Sequence, residues 1–312
     1  MVVWILAFRF SSLPCRPRRS MVRLLFNYVQ PRRRLLGGIL SLTVALLLVT
    51  AAGARYLNAD TDGTAVAPTQ NTDAFTFVRI RYDSIGGYNE SWYRYEGRDW
   101  QRWETDYPRA EKNLIYRLNE LTSMKINPDP IVLRLTDERI LDHPFIFMSD
   151  IGWQQLSQPE RAGLERYLQR GGFLWVDDFW GQAEWTSFMQ NIGTLRPDWT
   201  VRRIPADHPM LTIVYPVKQC PQIPARIFYQ QTGLPWDPPF AHRAPTGGVS
   251  GVNRVRFMGL FDKQDRLMVV ATHNTDIADG WEREGESKEF FERFSIDSYA
   301  ITINILVYAL TH

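Results

Sequence analysis

Residues 145–192 read FIFMSDIGWQQLSQPERAGLERYLQRGGFLWVDDFWGQAEWTSFMQNI, and they decide the fold class. Phe145–Met148 is a continuous apolar run of strand length, as strands buried on both faces are. Ser157-Gln158-Pro159-Glu160 is a capping box that opens a helix. Leu164, Tyr167 and Leu168 supply that helix's apolar face, and Gly171-Gly172 ends it where a left-handed residue is wanted. Phe173–Val176 is a second apolar strand. Trp185, Phe188, Met189 and Ile192 then recur at helical spacing. Strand, helix, strand, helix with a right-handed crossover predicts parallel neighbours in one sheet.

Outward from this block the alternation continues. Phe75–Tyr82 alternates like a strand with one polar face. Asp106-Tyr107-Pro108 opens a helix whose apolar face is Leu114, Ile115, Leu118 and Leu121. Ile131–Leu135 is a short strand. Val255–Leu260 and Leu267–Thr272 read as strands about a turn at Asp262–Asp265. Ile296–Leu310 is an apolar final helix carrying Asp297 and Asn304, too short to span a bilayer and expected to pack on the sheet. The Pro- and Gly-rich stretch 205–250 receives no assignment. The reading is a single α/β domain over 74–312.

Ahead of it, residues 35–54 hold twenty consecutive uncharged positions, enough to cross a hydrocarbon core as a helix. Arg32, Arg33 and Arg34 precede this run, which places 1–34 in the cytoplasm and the domain on the outer, periplasmic side of a bacterial inner membrane. The alternative is an exported protein with a cleaved signal. Ala52-Gly53-Ala54 resembles a cleavage site, and Pro31-Arg32-Arg33-Arg34-Leu35-Leu36 resembles a twin-arginine signal with its first residue substituted. Met21 opens a conventional leader, so Met1 and Met21 both stand as starts. Residues 55–73 read as a linker, small and polar over 58–73.

The formal charge of +2 conceals an acidic domain: eight arginines lie within 1–34, and the rest has 28 basic residues against 34 acidic ones. Without a basic stripe, nucleic acid is excluded as an expected partner. Of the two cysteines, Cys15 lies in the leader and Cys220 in the domain, with no zinc-ligand spacing around either. Gly86-Gly87 lacks the spacing of a dinucleotide fingerprint, and there is no Walker motif and no Gly-x-Ser-x-Gly elbow. No cofactor is expected.

Ligands of open α/β sheets bind outside the carboxyl ends of the strands. Asp150 follows one such end; Asp177 and Asp178 follow another. Three carboxylates there could hold a divalent cation or act as acid and base, although Asp at these places also simply caps the next helix. They carry no recognised ligand motif, so no metal is expected. His273, Asp276 and Trp281 follow the strand at 267–272 and complete the candidate cleft, the plainer alternative being a polar loop. Asp207 and His208 are weaker candidates, because Asp-His-Pro also makes a good turn. Residues 82–107 are dense in Tyr and Trp, including Trp103 beside Asp106. Such rings suit sugar faces or a partner protein; the plainer reading is a long loop held down by its own aromatics.

The chain from about 75 onward resembles the domain of unknown function 4159 family of prokaryotes. The matching pieces are Trp103 with Asp106-Tyr107-Pro108, His143-Pro144-Phe145, Leu156-Ser157, Tyr167-Leu168, and Gly171–Leu174 leading to Asp177-Asp178. Asp207-His208-Pro209, Asp279–Glu282 and Asn304–His312 follow in order. Such proteins are often encoded near MoxR-type ATPases and von Willebrand factor A proteins, so the resemblance implies an envelope protein partner. Residues 145–178 are also similar to the trehalose-utilisation branch of the class I glutamine amidotransferase-like fold. That similarity implies a flavodoxin-like, mostly parallel sheet with helices on both faces. It does not carry the chemistry: the strand end where that fold holds its Gly-x-Cys-x-Gly nucleophile reads Val176-Asp177-Asp178-Phe179. The expected function is therefore a non-catalytic or degenerate module that binds a ligand or partner, the alternative being a hydrolase or sugar-processing enzyme using Asp150, Asp177 or Asp178 with His273 or His208.

Overall fold

The computed structural model describes residues 71, 73–87, 91–234 and 255–312. The leader, the apolar segment 35–54 and nearly all of the linker lie outside the described residues, as does most of the second half of the Pro- and Gly-rich stretch.

Seven strands form the central sheet. They are β1 (Val78–Ile80), β4 (Ile131–Leu133), β5 (Phe145–Ser149), β6 (Phe173–Phe179), β7 (Thr200–Arg203), β8 (Arg256–Phe261) and β9 (Leu267–His273), in the order β4-β1-β5-β6-β9-β8-β7. From β4 to β9 every pairing is parallel, and β8 and β7 extend the sheet antiparallel. Counting only the parallel strands in chain order, their arrangement is 2-1-3-4-5. The order reverses between β1 and β5, where a crevice opens in doubly wound sheets.

The pleat sends alternate residues to opposite layers. Phe77, Phe145, Phe147, Phe173 and Trp175 face α1 (Arg109–Leu121) and the final helix. Val78, Ile80, Ile146, Met148, Leu174 and Val176 face α2 (Gln158–Gln169) and α3 (Gly181–Phe188). Both faces are thus covered, which is why the strands read as unbroken apolar runs. The capping box forms as the sequence predicts, the Ser157 amide donating to Glu160 Oε2 at 2.9 Å. A short helix α4 (Arg226–Thr232) and one turn, α5 (Asp279–Glu282), lie beyond.

Three elements depart from the sequence reading. The aromatic region is a hairpin rather than a loop: β2 (Trp92–Tyr95) pairs antiparallel with β3 (Arg98–Gln101). Its two connecting residues, Glu96 and Gly97, both have positive φ, as a two-residue type I′ turn requires. β7 was not anticipated; it is short, and its arginines suit an exposed sheet edge. The final helix α6 (Ile296–Thr311) is longer than expected, since a π-turn at Phe291–Ser295 joins it to a preceding turn. The resulting 24-residue helix Lys288–Thr311 is long and apolar enough to cross a membrane by length and composition. Here it is a core element: Ile301, Ile305 and Leu306 are buried, and Asn304 bonds the backbone of Val214 and Tyr215.

Candidate functional site

Four chain segments leave the sheet at its carboxyl edge and bring their acids together. β5 ends at Ser149, and the Tyr82 hydroxyl lies 2.7 Å from the carbonyls of both Ser149 and Asp150. This fixes the turn, and Asp150 Oδ2 accepts from Arg102 at 2.8 Å and from Thr105 Oγ1 at 3.0 Å. β6 runs past its apolar residues, and the pleat sends its two acids opposite ways. Asp178 turns to the open side and accepts from Trp180 Nε1 at 2.8 Å. Asp177 turns into the core, where the Thr272 hydroxyl and the Ala278 amide donate to it. After β9, Asn274 anchors Gly181 N at 2.8 Å, and Asp276 Oδ1 accepts from the Asp279 amide at 2.9 Å. Asp106 arrives from the turn ahead of α1.

Asp106, Asp150 and Asp178 share a second property. They are three of the six non-glycine residues with positive φ among the described residues, and Asn274 is a fourth. Asp and Asn tolerate this conformation best, but it still costs stability, and such residues gather at functional sites.

Asp106, Asp150, Asp178 and Asp276 line a cavity of about 440 Å³. Asp279, Glu282 and Glu184 join them on its wall, and Tyr93, Tyr95, Trp100, Trp180 and Phe228 supply aromatic surface. The arginines that reach the cavity are largely spoken for. Arg102 holds Asp150; Arg283 holds Asp279 and Glu282. Arg109 lies 3.5 Å from Glu282.

Burial and crowding raise the acids. Asp106 is pushed up to about 8, first by burial and then by the charge of Asp279. Asp178 stands well above the carboxylate range through burial and the charges of Asp150 and Asp106. Asp276 does so through burial and the charges of Asp178 and Asp279. Burial, then Asp106 and Asp279, lifts Glu282 to about 10. One oxygen each from Asp106, Asp178 and Asp276 lies within 4.8 Å of the others, and a second trio is formed by Asp106, Asp279 and Glu282. Either trio has the donor chemistry of a hard-cation site.

A family model described as Domain of unknown function (DUF4159) matches residues 76–310. The chain belongs to this family. No curated protein matches it. The DUF4159 match spans every strand described above and the whole cavity lining.

Within this DUF4159 domain the sequence candidates divide. Asp150, Asp178, Asp276 and the weaker candidate Asp106 meet in the cavity. Asp177 does not, for the reason of pleat just given. His273 is fully buried between Phe179 and Trp185, with Nε2 on the Gly181 carbonyl at 2.8 Å. Burial lowers it to about 4, so it is a neutral core residue. Trp281 is also buried, its ring 5.5 Å from Trp175 and its Nε1 on Thr302. His208 packs on Tyr308 and caps a helical turn, and Asp207 is exposed beside it, both apart from the cavity. Trp103 packs against Tyr107 at a tilt, outside the lining. Sequence reasoning left out Asp279, Glu282, Arg102 and Arg283. The i, i+3 spacing of Asp279 and Glu282 puts both on one side of a turn and was a usable signal. Arg102 had none, since its partner Asp150 lies 48 residues away.

Proposed function

We propose that the domain is a ligand-binding module of the cell envelope, built on a flavodoxin-like, amidotransferase-like scaffold, and that it takes a small polyhydroxylated ligand such as a saccharide. The convergence of strained acids beneath an aromatic hairpin, at the carboxyl edge of the sheet, carries this reading. Carboxylates accept from sugar hydroxyls, and Tyr and Trp rings cover the apolar faces of sugar rings. The 2-1-3-4-5 order supports the scaffold. Cys220, the domain's cysteine, is buried, and burial followed by the charge of Asp177 raises its thiol well above the usual range, which disfavours a reactive thiolate. The envelope location rests on the apolar run 35–54 behind three arginines. Through the family resemblance, a MoxR-type ATPase or von Willebrand factor A protein would be its envelope partner.

The test is a thermal-shift titration of the full-length chain in EDTA with glucose, galactose and N-acetylglucosamine. At least one should raise Tm with concentration, since a ligand bound only by the folded state adds about 2.7 kcal/mol at a hundredfold excess over Kd. The rise should shrink in Asp178→Asn. A Tm unmoved by all three sugars at tens of millimolar would remove the saccharide reading.

A second reading, a hydrolase of glycosidic bonds, draws on one observation. Asp106 is raised to about 8 and so is protonated at neutral pH, in the same cavity where Asp150 is ion-paired with Arg102. A protonated carboxyl beside a charged one is the arrangement acid–base hydrolysis uses. Turnover of aryl glycosides that vanishes in Asp106→Asn would favour it over simple binding.

A further inference from the structure

We propose that Asp106, Asp178 and Asp276 bind one divalent cation of the Ca²⁺ class at the floor of this cleft. The proposal rests on the reading of the cleft as a ligand site, deepens it, and replaces the sequence expectation of no metal.

The geometry comes first. One oxygen from each residue lies within 4.8 Å of the other two. Oxygens sharing a Ca²⁺ at about 2.3–2.6 Å are separated by at most about 5.2 Å, and Ca²⁺ accepts three carboxylates where Mg²⁺ takes one or two and keeps its waters. The whole trio therefore fits a single Ca²⁺ shell. An all-oxygen donor set also selects a hard cation over zinc or copper.

The second observation concerns Asp106. Its Oδ2 is sealed from solvent and has no hydrogen-bond partner. Buried acceptors are almost always satisfied, so an orphan oxygen on a member of this trio points to a missing partner. Arg79 and Arg283 act on Asp106 only at a distance, without an ion pair. Asp150, Asp279 and Glu282 each pair with an arginine, whereas among the described residues no ion pair reaches Asp106, Asp178 or Asp276. This difference assigns the cation to the first trio rather than to Asp106, Asp279 and Glu282, which Arg283 already neutralises.

The carboxylates are also aimed. Trp180 Nε1 fixes one oxygen of Asp178 and the Asp279 amide fixes one of Asp276, leaving their other oxygens for a ligand. The open side of the trio faces the cavity, so water or a ligand hydroxyl completes the shell.

The experiment is calorimetric titration of Ca²⁺, and then Mg²⁺ and Mn²⁺, into full-length protein freed of metal by EDTA and dialysed at pH 7.5. One Ca²⁺ site is expected. Its affinity should fall at least about 10-fold in the Asp106→Asn/Asp276→Asn double variant, as even outer-shell changes do. It should be unchanged in Asp207→Asn, which is exposed and remote. The metal-free double variant should melt no lower than wild type, because it loses like-charge repulsion, and this shows it is folded. No saturable binding of any of the three ions, or equal binding by the double variant, overturns the proposal. A saccharide-induced Tm rise in EDTA without Ca²⁺ binding would overturn the cation alone; the absence of both removes the cleft reading as well.

Discussion

Asp177 and Asp178 are chemically identical neighbours with opposite roles, because the pleat turns Asp177 inward and the strand then breaks register at Asp178, whose φ is positive. Asp177 is fully buried and ties β6 to β9 and to the turn after β9, through the Thr272 hydroxyl and the Ala278 amide at 2.9 Å. Asp177→Ala leaves the Ala278 amide without an acceptor and the Thr272 hydroxyl with the Val176 carbonyl alone. Burial raises Asp177 to about 7, so the loss is dominated by the orphaned buried donor, which costs about 1–3 kcal/mol, with the cavity left by the side chain adding to it. We expect a loss of about 2–4 kcal/mol in urea unfolding for Asp177→Ala, with Asp178→Asn within about 1 kcal/mol of wild type. Equal losses would show that the two acids are not divided between core and cleft. The sequence placed both at a strand end but could not tell them apart, because the strand's last residue decides which acid faces inward. It ended the strand at Val176; the structure carries it to Phe179. The same limit applies to His273 and Trp281. Both lie on the right segment, and both turn inward, as neutral imidazole and large apolar ring prefer.

Among elements, those with long apolar runs were legible: β5, α2, β6, β9 and α6 each announce themselves by period and caps. The hairpin β2–β3 was not, since its turn is Glu96-Gly97 rather than a strong Asn-Gly or Asp-Gly signal. Its arginines and aromatics also alternate without an apolar face. The contact that seats α1 on the sheet was likewise invisible. Arg79 on β1 and Glu111 on α1 form a fully buried ion pair, with Arg79 Nε 2.6 Å from Oε1. The guanidinium also sits 4.9 Å over the Phe147 ring. Burial pushes Glu111 upward, and the charge of Arg79 opposes this. Neither partner is tolerable alone in an apolar layer. Arg79→Met or Glu111→Leu singly should cost about 3–5 kcal/mol, because each strands a buried charge. The double variant should cost clearly less than the sum of the singles, and a double-mutant cycle on chemical unfolding reads that coupling. Additive losses would mean that the two side chains do not act as a pair.

At the scale of the molecule, acids crowd the carboxyl edge of the sheet while the apolar layers close both faces, and this makes metal-free stability depend on pH in a definite direction. Asp106, Asp178, Asp276 and Glu282 all bind protons more tightly folded than unfolded. Such groups stabilise the fold below their unfolded values, near 4, and withdraw that stability as pH rises toward the folded ones, about 8 for Asp106 and about 10 for Glu282. The charges facing them are Arg79, Arg283 and Arg109, with Asp150, Asp177, Asp279 and Glu111 on the acidic side. His273 works in the opposite sense. Its folded value of about 4 lies below the usual 6.5, so its contribution is lost as pH falls through that interval. Four carboxyls outweigh one imidazole, and above pH 6.5 the imidazole no longer contributes a slope. Tm of the EDTA-treated chain should therefore fall from pH 6.5 to 8.5, by calorimetry in buffers of constant ionic strength. Asp106→Asn/Asp276→Asn should flatten that decline, since it removes two of the groups that lose their protons. A wild-type Tm that rises over this interval would show that the carboxyls ionise freely in the fold, and that the crowding at the sheet edge is screened by water.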